Sequence, residues 1–365
     1  MDFFLPIAQV HLNLWVILLV SFGVGFVSGL FGIGGGFLMT PLLVFLGIPP
    51  AFAVANEANN ILGTSVSGAL THWFKKTLDY KMGIVIVLGG IIGTVIGMLI
   101  FQYFIDIGKI NSLIALSYIY LLAIVGTLMF AQGAKEISAL KKKIVVKKKL
   151  HTHYWIHGLP FKIRFHKSKL YESAITPIFL GMIVGIIATV MGVGGAFLLV
   201  PAMIYLIGMP TKLVPGTSLF VTIFITIFVV IGHAFKFQTI DLVLVLVLLS
   251  GSIFGLHLGL KIAEKLNPSE YKTLLATLLL VVGIMMGFQE FVLEKGENLF
   301  VSKKLSEPTV ISDLSQYLLN FSSNFPIYYA VLSIVLVIFI GAIFSYVREY
   351  IHYLKIEFSN KKKVN

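Results

Sequence analysis

The fold of this chain is decided by a glycine-rich stretch that occurs twice, as GFVSGLFGIGGGFLMTPLLVFL at residues 25–46 and as GIIATVMGVGGAFLLVPAMIYL at residues 185–206. Eight of these 22 positions are identical. After small insertions the match continues through further paired positions, which are His72/His233, Phe74/Phe235, Asp79/Asp241, Gly93/Gly255 and Gly97/Gly259. Polar and glycine residues that recur at matched offsets in an apolar background indicate an internal repeat.

The residues around the two stretches have the composition of a membrane protein. Of 365 residues, 58% are hydrophobic and 12% are charged, whereas about a quarter of the residues of soluble domains are charged. Glu57 is the only charged residue between Phe3 and Phe74, and there is none between Ser173 and Thr211. This composition excludes a disordered chain and argues against a soluble enzyme. The absence of cysteine excludes a disulfide framework and thiolate metal sites.

The apolar stretches predict an all-α polytopic membrane protein with about five helical segments in each half and one extra C-terminal transmembrane helix. The predicted segments are 14–31, 37–48, 51–74, 83–104 and 112–132, then 175–191, 197–208, 215–235, 242–263 and 271–290, and finally 327–347. The segments 37–48 and 197–208 are too short to cross a hydrocarbon core of about 30 Å, because twelve helical residues span only about 18 Å. We therefore expect broken helices, with glycine or proline turns at membrane depth.

The positive charges predict how the chain is oriented in the membrane. If every segment crosses and the N-terminus lies outside, 23 of the 28 Lys and Arg residues lie on the inner side. If the short segments are re-entrant and the N-terminus lies inside, the number is 18. The positive-inside rule favours the first arrangement, in which five crossings per half make the halves inverted repeats. The predicted order is a first repeat (1–134), a basic cytoplasmic linker (135–172), a second repeat (173–290), an extracytoplasmic loop (291–326), the extra helix (327–348) and a basic cytoplasmic tail (349–365).

Each glycine cluster precedes a short helix and is a candidate anion site. No Gly-Lys-Ser/Thr follows, which excludes a nucleotide-binding P-loop, and no strand precedes, which excludes a Rossmann turn. Glycines in a broken helix would let backbone amides converge at a helix N-terminus, which suits an anion. The alternative is close helix packing through small residues. The candidate substrate-binding residues are Gly34, Gly35 and Gly36 in the first cluster and Gly194 and Gly195 in the second.

Polar side chains occur again at the start of the long helix that follows in each half. Asn56 and Asn59 occupy this place in the first half, and Thr217 and Ser218 in the second. Amide and hydroxyl groups in an apolar helix are costly unless they are paired, and they could donate hydrogen bonds to an oxyanion. The alternative is helix N-capping, for which these residue types are preferred. The four residues complete the predicted substrate site.

Four ionisable residues are candidates for coupling or for attracting the substrate. Glu57, alone in its apolar surroundings, is a candidate proton carrier, or else an acid placed favourably on a helix dipole. His72 and His233 occupy corresponding helix ends and are candidates for gating or proton handling, or else structural residues. Lys212 is a candidate for attracting an anion, or else a lysine that reaches to the membrane interface. Asp79 and Asp241 are predicted N-caps of the next helices.

The basic linker contains an alternating stretch at residues 161–165, which indicates a small cytosolic hairpin with its turn near residues 158–160. His151, His153, His157 and His166 lie among lysines and aromatic residues there. We expect this segment to be attracted to anionic lipid headgroups rather than to bind a metal.

With these motifs in view, the chain resembles the TauE/SafE sulfite exporter family. The resemblance lies in GLFGIGGGFLMTP at 29–41, in MGVGGAFLLVP at 191–201, in GTSL at 216–219 and in the layout from about residue 14 to 290. It implies a permease for sulfur-containing anions such as sulfite, sulfoacetate or related organosulfonates, in the bacterial inner membrane and coupled to the proton gradient. The second cluster has Ala196 where the first has Gly36, so the two halves need not bind alike.

The sequence thus predicts a secondary active permease with a small anionic substrate, embedded in the lipid bilayer. No enzymatic activity, catalytic residue, cofactor, metal or nucleic-acid partner is expected. The alternatives are a non-transporting membrane scaffold and a permease for an unrelated small anion. An intramembrane hydrolase is excluded, because Ser65 and His72 lie seven residues, or about 10.5 Å, apart on one helix, too far for a Ser–His hydrogen bond.

Overall fold

Helices form at all eleven predicted apolar stretches. The computed structural model describes residues 2–5, 7, 10–31, 36–141, 160–263, 268–291 and 313–364. The helices of the first half are α1 (Leu14–Phe31), α2 (Gly36–Phe45), α3 (Pro50–Phe74), α4 (Tyr80–Asp106) and α5 (Ile110–Lys141). Those of the second half are α6 (Ile175–Met191), α7 (Ala196–Tyr205), α8 (Val214–Gly232), which continues as a π-helical turn (His233–Phe237), α9 (Leu242–Ala263) and α10 (Pro268–Phe291). They are followed by α11 (Asp313–Asn324) and α12 (Pro326–Val364).

The prediction of an all-α polytopic membrane protein is confirmed. Among the described residues, five helices are long and apolar enough to cross a membrane, which are α4, α5, α8 with its π-helical turn, α9 and α12. Their outer faces carry exposed apolar side chains, and on α4 these are Ile84, Leu88, Ile92, Val95 and Leu99. The spacing of three to four residues is that of one helix face, which is the face available to lipid. α3 has 25 residues but is not among the five, because polar side chains lower its hydropathy.

Two β-hairpins accompany the helices. β1 (Asp2–Leu5) pairs with β2 (Val10–Asn13) just before α1, and β3 (Lys162–Phe165) pairs with β4 (Leu170–Ser173) just before α6. The strand expected at 161–165 is therefore present. Its turn lies at residues 166–169 and not near 158–160, because the strand pairs with the residues that follow it.

Two further differences concern the C-terminal region. α11 lies within the predicted extracytoplasmic loop 291–326, and α12 continues from the predicted extra helix through most of the tail predicted at 349–365. The histidine-rich part of the linker before residue 160 lies outside the described residues.

Glycines determine which outer helices pair and in which direction. A Cβ atom at Gly89 or Gly93 of α4 would overlap a backbone carbonyl group of α6, and one at Gly255 or Gly259 of α9 would overlap a carbonyl group of α1. Such small residues allow helix backbones to approach closely, so the glycine-bearing faces of α4 and α9 are packing faces. Along α4 the contacts move from Ile178 to Met182 of α6, and along α9 from Phe22 to Phe26 of α1. Each of these pairs is therefore parallel.

The corresponding helices of the two halves also pack together, but in opposite directions. Along α3 and α8, Gly216 lies against His72 and Gly68 lies against Leu219. Along α5 and α10, Gly126 lies against Leu280 and Gly283 against Leu122. Rising residue numbers in one helix thus meet falling numbers in its counterpart, which is the relation that two inverted repeats predict.

Candidate functional site

Gly36, the last glycine of the first cluster, lies next to the second glycine cluster, with Ile61 of α3 between them. Gly34 and Gly35 lie outside the described residues, so Gly36 at the start of α2 represents the first cluster. A Cβ atom at Gly36 would overlap the Ile61 side chain and lie 3.1 Å from the Val193 carbonyl oxygen of the second cluster. A Cβ atom at Gly194 would lie 2.5 Å from Cγ2 of the same isoleucine. The tertiary structure therefore joins two motifs that are about 160 residues apart in the chain.

The starts of the two short helices are adjacent as well. Phe37 follows the first glycine cluster and Phe197 occupies the corresponding position after the second, and their ring centroids are 5.6 Å apart. α2 and α7 therefore begin at the same place from opposite halves, where their partial positive charges lie close together.

The second glycine cluster breaks the helix in the way that the sequence predicts. Gly192, Gly194 and Gly195 have φ values of 69°, 66° and 75°, a left-handed conformation that costs other residues about 1–2 kcal/mol each. No side chain caps the start of α7. The first amides of a helix have no acceptor within the helix. The Leu198 amide donates to the Gly195 carbonyl oxygen at 3.1 Å. The candidate donors to an anion are therefore the amides of Ala196 and Phe197.

Two side chains hold the end of α6 beside this break. The Tyr118 hydroxyl of α5 donates a 2.6 Å hydrogen bond to the Met191 carbonyl oxygen. Nε2 of His233 lies 3.1 Å from the Thr189 carbonyl oxygen, and the His233 ring packs against Phe101 with centroids 4.7 Å apart. The carbonyl groups in the last turn of a helix have no N–H donor within that helix. The contacts of Tyr118 and His233 supply partners for two of them. This contact of His233 is of the kind expected for a structural residue, which is the alternative to a role in gating or proton handling.

One face of α3 presents a buried acid and a buried hydroxyl group on either side of Ile61. Glu57, Ile61 and Ser65 are spaced by four residues and so lie on the same face of the helix. All three are buried, with 1%, 1% and 0% of their surface exposed. Oε2 of Glu57 accepts a 3.0 Å hydrogen bond from Nδ2 of Asn60. Oδ1 of Asn60 in turn accepts a 2.7 Å bond from the Ser252 hydroxyl of α9, which fixes the Asn60 amide that binds the acid.

Several buried polar atoms of α3 and α8 have no hydrogen-bond partner in the part of the chain that the structure describes. They are Oγ of Ser65 and Ser67, Oδ1 of Asn59 and Oγ1 of Thr222. Thr222 of α8 adjoins the glycine break, since its Cγ2 would lie 3.1 Å from a Cβ atom at Gly194. A buried polar group without a partner costs about 1–3 kcal/mol, so such groups are few and call for an explanation. A polar ligand that binds these groups is one such explanation.

Asn56 and Thr217 make equivalent contacts between the halves. Oδ1 of Asn56 accepts a 2.7 Å hydrogen bond from the backbone amide of Asp241, and its Nδ2 donates to the Thr239 carbonyl oxygen at 3.1 Å. Oγ1 of Thr217 accepts a 3.0 Å bond from the amide of Asp79. Both side chains therefore bind the segment that leads into the fourth helix of the other half.

The remaining predicted residues make separate contacts. Asn59 donates to the Ser333 hydroxyl of α12, and Ser218 donates to the Pro215 carbonyl oxygen at 2.9 Å. Nδ1 of His72 is 2.9 Å from the Thr77 hydroxyl, a contact different from that of its counterpart His233. Lys212 is exposed in the turn at residues 211–213 before α8. The structure thus groups Glu57 with Gly36, Gly194 and Gly195, and distributes the other candidates around this centre.

Three residues of this centre are not singled out by the sequence. Thr222 is one of several threonines in α8, Ser252 is one of two serines in α9, and Tyr118 is one of two tyrosines in α5. Their contacts join helices that are distant in the chain, so no local pattern marks them. Asn60 carries a weak signal, because it closes the polar run Asn56–Asn60 at the start of α3.

Comparison with known proteins gives a consistent result. The family model of the sulfite exporter TauE/SafE matches residues 17–286. The chain is 26% identical over 283 residues to the probable membrane transporter protein YunE of Bacillus subtilis, which covers 75% of this chain and 97% of that protein. It is 27% identical to YjnA of the same organism (74% of this chain, 98% of that protein) and 25% identical to MJ0441 of Methanocaldococcus jannaschii (74% and 94%), both also named probable membrane transporter proteins. No solved structure matches the chain significantly.

Proposed function

Because the chain belongs to the sulfite exporter TauE/SafE family, it is a multi-pass membrane transporter and not an enzyme, and we propose that it transports a small sulfur-containing oxyanion such as sulfite or an organosulfonate. The resemblance expected from the glycine motifs is thereby confirmed. The substrate class, the coupling to protons and the placement in the bacterial inner membrane belong to the proposal.

The observation that carries the proposal is the contact of Gly36 and of the second glycine cluster with Ile61, close to buried hydroxyl groups that have no hydrogen-bond partner among the described residues. Thr222 adjoins the break at Gly194, Ser65 lies one helical turn from Ile61 on the same face of α3, and α7 begins at the break with no side-chain cap. A helix N-terminus and neutral hydrogen-bond donors suit an oxyanion, because they stabilise its charge without a fixed countercharge that would hold it. A substrate bound in this way can also leave.

Glu57 is proposed to couple transport to protons. It lies one helical turn from Ile61, about 6 Å along the axis, and so close to the proposed anion. Two negative charges at this distance in a poorly polarisable interior repel each other strongly. Binding of the anion and of a proton to Glu57 are therefore coupled, and both would move together. An isolated carboxyl group inside a membrane is expected to be functional.

The two halves are proposed to be inverted repeats that rock against each other. The antiparallel packing of α3 on α8 and of α5 on α10 supports this arrangement, which is common among secondary transporters and places the substrate between the halves. By the positive-inside rule, the basic segment from Lys135 to Lys169, with 11 of the 28 Lys and Arg residues, and the C-terminal tail lie in the cytoplasm.

Transport assays in proteoliposomes test the proposal. Labelled sulfite, sulfate, thiosulfate and small sulfonates are offered with and without a pH gradient, and we expect flux of sulfite or a sulfonate that the gradient increases. Ser65→Ala and Thr222→Val should each weaken apparent affinity about tenfold, because a hydrogen bond to a charged group contributes about 1.5–3 kcal/mol. The matched control is Thr127→Val, which alters an exposed threonine of α5 and should leave transport unchanged.

The same assay separates the proposal from its alternatives. Folded protein that moves none of these anions would favour a scaffold, and flux of an unrelated anion alone would overturn the assignment of substrate. Equal affinities in Thr222→Val and Thr127→Val would remove Thr222 from the site.

A further inference from the structure

Each half of the protein begins with a β-hairpin, and the two hairpins occupy corresponding positions. The glycine stretches start at residues 25 and 185, an offset of 160. The same offset carries β1 (Asp2–Leu5) onto β3 (Lys162–Phe165) and β2 (Val10–Asn13) onto β4 (Leu170–Ser173). No residue is identical between the hairpins, so only the structure reveals that they correspond. We therefore assign β3 and β4 to the second half rather than to the linker predicted at 135–172.

The turn of the first hairpin is bound by Asp241 of the second half. Oδ1 of Asp241 caps α9 by accepting hydrogen bonds from the amides of Val243 (3.1 Å) and Leu244 (3.3 Å). Oδ2 accepts a 2.9 Å bond from the amide of Ile7 in the hairpin turn. The backbone amide of Asp241 donates to Asn56 of α3, as described above. Capping of α9 needs only the bonds to Oδ1. The bonds to Ile7 and to Asn56 join the halves.

The turn of the second hairpin is bound in the same way by Asp79 of the first half. Oδ1 of Asp79 caps α4 by accepting a 3.2 Å hydrogen bond from the amide of Met82. Oδ2 accepts two bonds from Ser168 in the hairpin turn, from its amide at 3.0 Å and from its hydroxyl group at 2.7 Å. The backbone amide of Asp79 donates to Thr217 of α8. The corresponding aspartates thus make corresponding contacts, since Oδ2 and the backbone amide of each aspartate form hydrogen bonds to the other half.

The two sets of contacts lie at opposite ends of the central helix pair. Asn56 is near the start of α3, whereas Gly216, beside Thr217, packs on His72 near the end of α3. The sixteen residues from Asn56 to His72 span about 24 Å of helix, with Ile61 and Ser65 between them. The contacts of Asp79 and of Asp241 therefore close the junction of the halves on either side of the glycine break.

We propose that Asp79 and Asp241 are gating residues that hold the halves together on opposite membrane faces and release in alternation. The Asp79 gate consists of Asp79, Ser168 and Thr217, and the Asp241 gate of Asp241, Ile7 and Asn56. The inference rests on the proposed transport function, since alternating access requires contacts between the halves that break on one face at a time. The hydrogen bonds of both gates are formed in this structure.

The two gates differ in their supporting contacts. At the Asp79 gate, Nζ of Lys167 donates to the Leu78 carbonyl oxygen at 2.9 Å, and Nζ of Lys81 donates to the Arg164 carbonyl oxygen at 2.9 Å. Each bond again links the second hairpin to the first half. The Asp79 gate borders the basic linker, which places it on the cytoplasmic face by the positive-inside rule, and the Asp241 gate then faces the other side.

Cysteine labelling from each side of the membrane tests the gates without requiring a substrate. The chain has no cysteine, so Ser65→Cys supplies a single reporter thiol between the gates. A membrane-impermeant maleimide is applied to right-side-out and to inside-out vesicles. Asp79→Ala should raise the labelling rate about tenfold from the cytoplasmic side, and Asp241→Ala should raise it similarly from the other side, as expected for the loss of a hydrogen bond to a charged group.

Two further variants remove a contact between the halves but leave the helix caps intact. Ser168→Ala removes one donor to Asp79, and Ile7→Pro removes the amide donor to Asp241, while both aspartates remain. They should shift labelling to the same sides as the alanine variants. Ser173→Ala is the matched control, because its hydroxyl group bonds to the Pro160 carbonyl oxygen at 2.6 Å, at the base of the second hairpin, and it should change labelling from neither side.

The outcomes distinguish the gates from the substrate assignment. Increased labelling from the same side in both pairs of variants, or unchanged labelling in folded variants, would overturn the gating proposal. Opposite sidedness without flux of any tested anion would support the gates and leave the proposed substrate wrong. Flux without opposite sidedness would retain the transporter and discard the gates.

Discussion

Replacing Glu57 by glutamine is expected to abolish accumulation of the substrate driven by a pH gradient, while exchange without a gradient continues. A gradient of one pH unit contributes about 1.4 kcal/mol for each coupled proton, or about a tenfold accumulation. Glutamine keeps the shape of the side chain and its bond with Asn60 but cannot carry a proton. The accumulation ratio should therefore fall from about tenfold to about one, measured as labelled substrate retained in proteoliposomes at a fixed pH difference.

A carboxyl group elsewhere in the chain provides the control for this result. Asp106 ends α4, is exposed and accepts a 2.7 Å hydrogen bond from Gln102. Asp106→Asn makes the same chemical change away from the centre, so the accumulation ratio should be retained. If Glu57→Gln still accumulates substrate like the natural protein, Glu57 does not couple transport to protons, whatever the substrate is.

Replacing Gly93 by leucine is expected to prevent stable folding. A Cβ atom at this position would overlap the carbonyl oxygen of Met182 on α6. Because the obstacle is backbone, no change of rotamer relieves it, and α4 and α6 must separate along their length. We expect a loss at or above the upper end of the 1–3 kcal/mol typical of overpacking, measured as thermal aggregation of detergent-solubilised protein by size-exclusion chromatography.

Gly23 of α1 is the matched control for this substitution. It is also a glycine in an apolar helix, but it is exposed, and a Cβ atom there would have no neighbour within 4 Å. Gly23→Leu should leave the thermal midpoint unchanged or raise it slightly, because leucine favours helix more than glycine does. Equal stability of the two variants would show that the α4–α6 contact does not hold the halves together.

Much of the architecture can be predicted from the sequence because it depends on local properties. The length and hydropathy of the apolar stretches predict eleven of the twelve described helices, α11 being the exception, and the second glycine cluster identifies the break before α7. Asp79 and Asp241 are recognisable as N-caps because capping involves only the following few residues. Membership of the family also follows from local motifs, since the glycine stretches occur twice at a fixed spacing.

The candidate site is less predictable, because the partner of a buried polar side chain depends on which helices meet. Asn56 and Thr217 are selected from the sequence as anion ligands, yet each binds the segment before a helix of the other half. Thr222 is selected by no pattern, yet it adjoins the glycine break. Thr217 and Thr222 are the same residue type on the same helix, but their contacts differ because different helices pack against them.

A helical membrane transporter with a duplicated glycine motif can be predicted from the sequence, since hydropathy and repetition are properties of short segments. The contacts of Gly36 and Gly194 with Ile61, and the bond from the second oxygen of each capping aspartate to a hairpin of the opposite half, are visible only in the folded chain. The aspartate contacts join segments about 90 to 230 residues apart in the chain, and such pairings depend on the close approach that helix-packing glycines allow.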